Sequence, residues 1–125
     1  MAGEISWQVE LQVKHGELDN LRALTSEMVE ATKAEPGALI YERFVSHDGK
    51  MVCVYERYAD SAAAVAHLLA FAKAFGERFS KTVERRRFMV FGTPSDELRE
   101  ILDRFGATYL GPFGGFSRFG SWRCD

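Results

Sequence analysis

The sequence predicts an α+β domain with the element order βαββαβ, and three observations carry that prediction. Apolar and polar residues alternate strictly from Ile5 to Val13. An Asp48-Gly49 dipeptide separates two runs rich in β-branched and aromatic residues, Leu39 to Val45 and Met51 to Tyr58. Apolar residues at helical spacing follow both the first strand and the hairpin. With 125 residues the chain can bury one core but not two ordinary ones.

The first strand places Ile5, Trp7, Val9, Leu11 and Val13 on one face and Ser6, Gln8, Glu10 and Gln12 on the other. The polar face carries no Lys or Arg before Lys14, which is unusual for a solvated strand and marks it as a surface for another subunit. From Glu17 onward Leu18, Leu21, Leu24, Met28 and Val29 predict a helix, with Glu17 and Asp19 at its positive end. It must stop before Pro36, because the residue ahead of a proline avoids the helical region. The His47-Asp48-Gly49-Lys50 turn then makes the next two strands antiparallel, and Asp60 caps a second helix, Ser61 to about Val83, which Gly76 could interrupt. Its apolar stripe reads Val65, Leu68, Leu69, Ala72 and Phe79.

Arg86 to Phe91 is apolar on both faces, as a central strand would be. The order βαββαβ with an antiparallel sheet is the ferredoxin-like layout. A short third helix follows, with Thr93 as cap, Pro94 at its first position and Gly106 closing it. Beyond it Phe113, Phe116, Phe119 and Trp122 are interleaved with glycines, a tail suited to wrapping a partner, covering the core or closing over a pocket. The expected division is therefore 1–92 for the ferredoxin-like domain and 93–125 for an extension packed on that domain or on a partner subunit.

Charge and cysteine content narrow the function classes. A net charge of −2 leaves no bulk positive field to draw the chain to nucleic acid or anionic lipid. The same topology occurs in RNA recognition motifs, but Met51-Val52-Cys53-Val54-Tyr55 lacks the Gly-aromatic-Gly-aromatic pattern they need. No apolar run is long enough to cross a bilayer and Met1-Ala2-Gly3-Glu4 is not a signal peptide, so a cytoplasmic location is expected. Cys53 and Cys124 form no metal-ligand spacing and no disulfide framework; neither a metal nor a cofactor is implied.

Taken in order, Lys14-His15-Gly16-Glu17, Glu35-Pro36-Gly37, Tyr41-Glu42, Tyr55-Glu56-Arg57-Tyr58 and Ala66-His67-Leu68 resemble the antibiotic biosynthesis monooxygenase family, its small quinol monooxygenase-like members most of all. The resemblance spans about Ile5 to Phe91 and leaves the tail outside. It implies a homodimer whose two sheets face each other in an α+β barrel, and oxidation of phenols, anthrones or quinols by dioxygen without a cofactor. Two departures stand out: Tyr58 occupies a position where the family often has Trp, and the second helix lacks a second His. Haem-cleaving relatives use an Asn, and the single Asn here, Asn20, is in the first helix.

Cofactor-free oxygenation needs a base, an apolar pocket and a donor for the developing oxyanion. His67 is the expected base, because an ordinary imidazole takes up a proton near neutral pH. It falls at the edge of the helical stripe beside Phe71 and Arg78, where a merely hydrogen-bonded His would also sit. Glu42 or Glu56 could serve instead, or join the facing sheets. Among Arg85, Arg86 and Arg87, Arg86 is the candidate oxyanion donor. Trp7, Tyr41, Tyr58, Phe71 and Phe75 are the candidate walls of a flat pocket for a small aromatic substrate, with Tyr55 a further aromatic on the sheet. A dimeric small-molecule-binding or stress-response domain without turnover is the alternative reading.

Overall fold

A computed structural model describes residues 3–118. The strands are β1 (Ile5–Val13), β2 (Ala38–Val45), β3 (Met51–Tyr58), β4 (Val83–Phe91) and β5 (Thr108–Leu110). The helices are α1 (Leu18–Lys33), α2 (Ser61–Ser80) and α3 (Asp96–Asp103). The five strands form one sheet in the order β2-β3-β1-β4-β5, with β1 antiparallel to both β3 and β4. This is the ferredoxin-like βαββαβ arrangement with a short helix and one strand added. Because β5 runs parallel to β4, the sheet is mixed rather than wholly antiparallel.

The helices cover the face that carries Ile5, Trp7, Val9 and Leu11, all of them buried, against Leu21 of α1, Ala64 and Val65 of α2, and Leu98 and Leu102 of α3. On this face the strand register lines side chains into rows. Tyr41, Glu56, Trp7 and Val90 make one row; Arg43, Val54, Val9 and Phe88 the next; Val45, Val52, Leu11 and Arg85 the third. The opposite face is uncovered in the single chain and exposes Phe44 and Met51 among polar residues. Glu42 lies on that face too, exposed and away from the helices.

Several local expectations match and others shift. The Asp60 carboxylate accepts from the Ala63 N–H at 2.8 Å, capping α2 as its sequence requires. The helix runs through Gly76 without a break and ends at Ser80, so β4 starts at Val83, three residues earlier than alternation suggests. The β2–β3 turn uses Gly49 alone at positive φ (+74°), while Asp48 accepts from Ser46 Oγ and the Lys50 N–H. At Gly37 a side chain is excluded by proximity: an added Cβ would stand 2.5 Å from the Ala63 Cβ.

Ser95, not Thr93, caps α3 by accepting from the Leu98 N–H, and Pro94 therefore lies outside the helix. The Ser95 N–H itself bonds to Ser61 Oγ at 3.0 Å, which ties the loop to the start of α2 and delays the helix. Gly106, at φ +71°, closes the helix as expected. Within the tail, Thr108–Leu110 is a strand that its glycine-rich setting conceals, and Phe113 and Phe116 are exposed. Phe119, Trp122 and Cys124 lie outside the described residues.

Candidate active site

Between the sheet and α2 lies an apolar cavity of about 480 Å³, its floor formed by Trp7, Val9, Leu11 and Phe88 and its roof by Leu68, Phe71 and Phe79. Ile101, Arg104 and Phe105, at the end of α3, complete one side of it. The extension beyond residue 92 thus takes part in the cavity.

One end is organised around Glu56, which is only 5% exposed. Its Oε1 accepts from Trp7 Nε1 at 3.1 Å and from the Tyr58 hydroxyl at 2.7 Å, and its Oε2 accepts from Arg43 Nη2 at 2.7 Å. Register explains the convergence. Trp7 stands directly opposite Glu56, Tyr58 follows two residues later on the same face, and Arg43 comes from the neighbouring row. A buried carboxylate needs such partners, since removing the charge from water costs several kcal/mol. With its oxygens committed to three donors, Glu56 acts as an anchor rather than as a free base.

His67 is buried beside this hub. Its Nδ1 lies 2.9 Å from Glu35 Oε1, and its Nε2 lies 3.6 Å from Glu56 Oε1, beyond hydrogen-bonding range. Where Nδ1 donates to the Glu35 carboxylate, Nε2 has no hydrogen-bond partner among the described residues. The imidazole thus sits between two carboxylates. The rings of Tyr58 and Tyr41 hold it from two sides, at 5.1 and 5.5 Å between centroids, and Phe71 stacks at 6.3 Å. The sequence reading put His67 at the edge of the helical stripe; instead Ala64, Val65 and His67 face inward and Leu69 is exposed at the cavity rim. The shift is possible because Glu35 satisfies the buried ring.

Of the predicted wall residues, Trp7 and Phe71 line the cavity. Tyr58 is fully buried behind Glu56, and burial together with that neighbouring carboxylate pushes its hydroxyl far above the ordinary tyrosine range. Tyr41 supports His67 and stacks beneath the Arg43 guanidinium, 3.5 Å from its ring centroid. Phe75 packs on Phe71 and under Arg78 rather than on the cavity.

Arg86 is not at the site. It is exposed, hydrogen-bonded to Gln12 and paired with Glu84 at 3.0 Å. A bulge in β4 is the cause: Arg87 pairs with Glu10 and Arg85 with Leu11, leaving Arg86 as the extra residue. Strict alternation back from Phe88 would send Arg86 inward, whereas the bulge turns Arg85 to the cavity. Arg85 thus takes the inward place that the sequence assigns to its neighbour Arg86 in the Arg85-Arg86-Arg87 run, while Glu35, Arg43 and Arg104 carry no site role in the sequence reading. Of these three, Glu35 alone has a signal, standing in the quoted Glu35-Pro36-Gly37 motif.

Residues 5–70 match the profile described as antibiotic biosynthesis monooxygenase. The chain belongs to this family. Solved structures share the fold of this antibiotic biosynthesis monooxygenase family member. MupZ from Pseudomonas fluorescens superposes with a TM-score of 0.83 at 23% identity, over 97% of this chain and 99% of that one, so the likeness takes in α3 and β5. A conserved protein from Methanosarcina mazei Go1 gives 0.65 at 17% identity, over 73% of this chain and 93% of its own. SnoaB from Streptomyces nogalater, a cofactor-independent oxygenase, gives 0.58 at 15% identity over 75% and 96%. No curated protein matches the sequence significantly. Among the described residues no group of three or more His, Cys, Asp and Glu side chains is placed to hold a metal ion, and no helix is long and apolar enough to cross a membrane.

Proposed function

We propose that this family member is a cofactor-independent monooxygenase acting on a small aromatic quinol or polyphenol in the cavity beneath α2, with His67 as base. The observation that carries the reading is the His67–Glu35 pair at the wall of an apolar cavity, with Nε2 in no hydrogen bond among the described residues. Glu35 orients the ring and balances the imidazolium that forms, as the carboxylate of a Ser-His-Asp triad does. In the proposed reaction Nε2 takes the phenolic proton. The resulting electron-rich anion gives one electron to dioxygen, and the radical pair combines as a peroxide. The C–H bond at the carbon bearing the peroxide then breaks, its electron pair forming C=O as the O–O bond opens; one oxygen stays in the product, and the other leaves as water with that proton and the one His67 had taken. Dry walls favour this course because they keep the anion and reduced oxygen together.

SnoaB, a cofactor-independent oxygenase of the same fold, supports the reaction type. The uncovered sheet face, with Phe44 and Met51 exposed, supports pairing with a second copy into the α+β barrel typical of the family. Oxygen uptake with a panel of quinols and anthrones tests the proposal. His67→Ala should lower kcat by about 10²–10⁴-fold, the usual loss for a general base.

One observation favours the non-catalytic alternative: the polar groups around Glu56 are largely satisfied by one another. Ligand-dependent thermal stabilisation without oxygen uptake or product would select that reading.

A further inference from the structure

The far end of the cavity differs in charge from the Glu56 end. Arg43 is neutralised by Glu56, but Arg85 and Arg104 also line the cavity, and among the described residues neither forms an ion pair or a side-chain hydrogen bond. Arg85 is turned inward by the β4 bulge and lies over the Phe105 ring, 4.4 Å from its centroid. Phe105 in turn stacks on Phe88 at 5.6 Å, making an aromatic wall directly under the guanidinium. Arg104 precedes Phe105 at the end of α3. Burial also holds the Arg85 guanidinium below its ordinary pKa, the sign of a cation partly removed from water without a counter-charge.

The register gives the separation. Trp7 pairs with Glu56 and Leu11 pairs with Arg85, so four residues of β1 divide the two ends, about 13 Å at the usual strand rise. Between them the walls are Val9, Val54, Leu68, Phe71 and Phe79. An uncharged polycycle would fill this space and leave two cations facing it unpaired.

We propose that the cavity takes an elongated aromatic molecule carrying a carboxylate, with the anion held by Arg85 and Arg104 and the phenolic ring at His67. This names the substrate class of the site and rests on the placement of the reacting ring given above. Arg forks and aromatic faces suit that ligand, since guanidinium groups bind carboxylates in two-point fashion and stack on rings.

Isothermal titration of the full chain with 6-hydroxy-2-naphthoate and with its methyl ester tests the inference. The acid should bind at least about tenfold more tightly, the worth of one charge-assisted hydrogen bond, and added salt should shrink the margin. In the Arg85→Met, Arg104→Met double variant the acid-to-ester ratio should fall to near unity, and in Arg104→Met alone, at an exposed helix end that folding tolerates, it should fall part-way. Equal affinities, a ratio unchanged in both variants, or no binding of the acid would each overturn the proposal. Oxygen uptake separates it from the oxygenase reading. Arginine-dependent selection of the acid without turnover sinks only the reaction; turnover of uncharged quinols with no preference for acids sinks only the substrate class.

Discussion

The two ends of one cavity obey opposite electrostatic rules. At the Glu56 end a buried carboxylate, a guanidinium, a phenol and an indole are locked in mutual hydrogen bonds, with His67 held against them. At the α3 end two exposed guanidinium groups line the cavity with no ion pair or side-chain hydrogen bond among the described residues. Water explains the difference. Burial forces a charge to find a partner within the fold, while a charge at a mouth stays hydrated until a ligand arrives. The first end is therefore scaffold as much as site, and the second is free to select.

The largest effect expected from breaking this contrast is at Glu56. Glu56→Ala strands Arg43 in the interior and frees the Trp7 and Tyr58 donors, and urea denaturation should show a loss of about 3–5 kcal/mol. A loss below about 1 kcal/mol would mean that water reaches the hub and that the two ends are alike. Next in size is Glu35→Gln, which removes the charge facing Nδ1 but leaves an acceptor; kcat should fall by about tenfold to a hundredfold with little change in melting temperature. An unchanged kcat would leave Glu35 as a structural partner only.

Alkaline titration probes the same end more gently. Burial pushes the Tyr41 hydroxyl up to about 12, partly offset by Arg43, whereas an unfolded tyrosine ionises near 10. The folded value is the higher one, so this contribution to stability is complete below about pH 10 and is lost as pH rises towards about 12. Phenolate absorbance and a melting series in that window should show the loss, with Tyr41→Phe losing less. The smallest effect is expected at the mouth: Arg104→Met should change stability by no more than about 0.5 kcal/mol, as an exposed, unpaired side chain should. A clear destabilisation there would show that Arg104 has a structural partner after all.

The strengths and failures of sequence reading divide along similar lines. Alternation in β1, the Asp48-Gly49 turn and the Asp60 cap are local signals, each set by steric or hydrogen-bonding rules within a few residues, and the fold follows from them. Trp7 lies on the apolar β1 face that alternation marks, whereas His67, at the edge of the stripe by helical spacing, is buried at the cavity wall. Arg86 was misplaced because a bulge breaks the period of two at a point that composition does not mark. The extra strand β5 escaped notice because a three-residue strand beside glycines carries almost no periodic signal.

By itself, then, the sequence determined the βαββαβ order, the buried face of β1, and the membership that the motifs from Glu35 to His67 announce. Only the tertiary structure decided which charges meet. Glu35 and His67 are 32 positions apart, Trp7 and Glu56 are 49, and Arg85 reaches the cavity through a register slip against β1. Pairings of that kind depend on how strands align and on which helix face turns inward. Those are global outcomes of packing that no local pattern encodes.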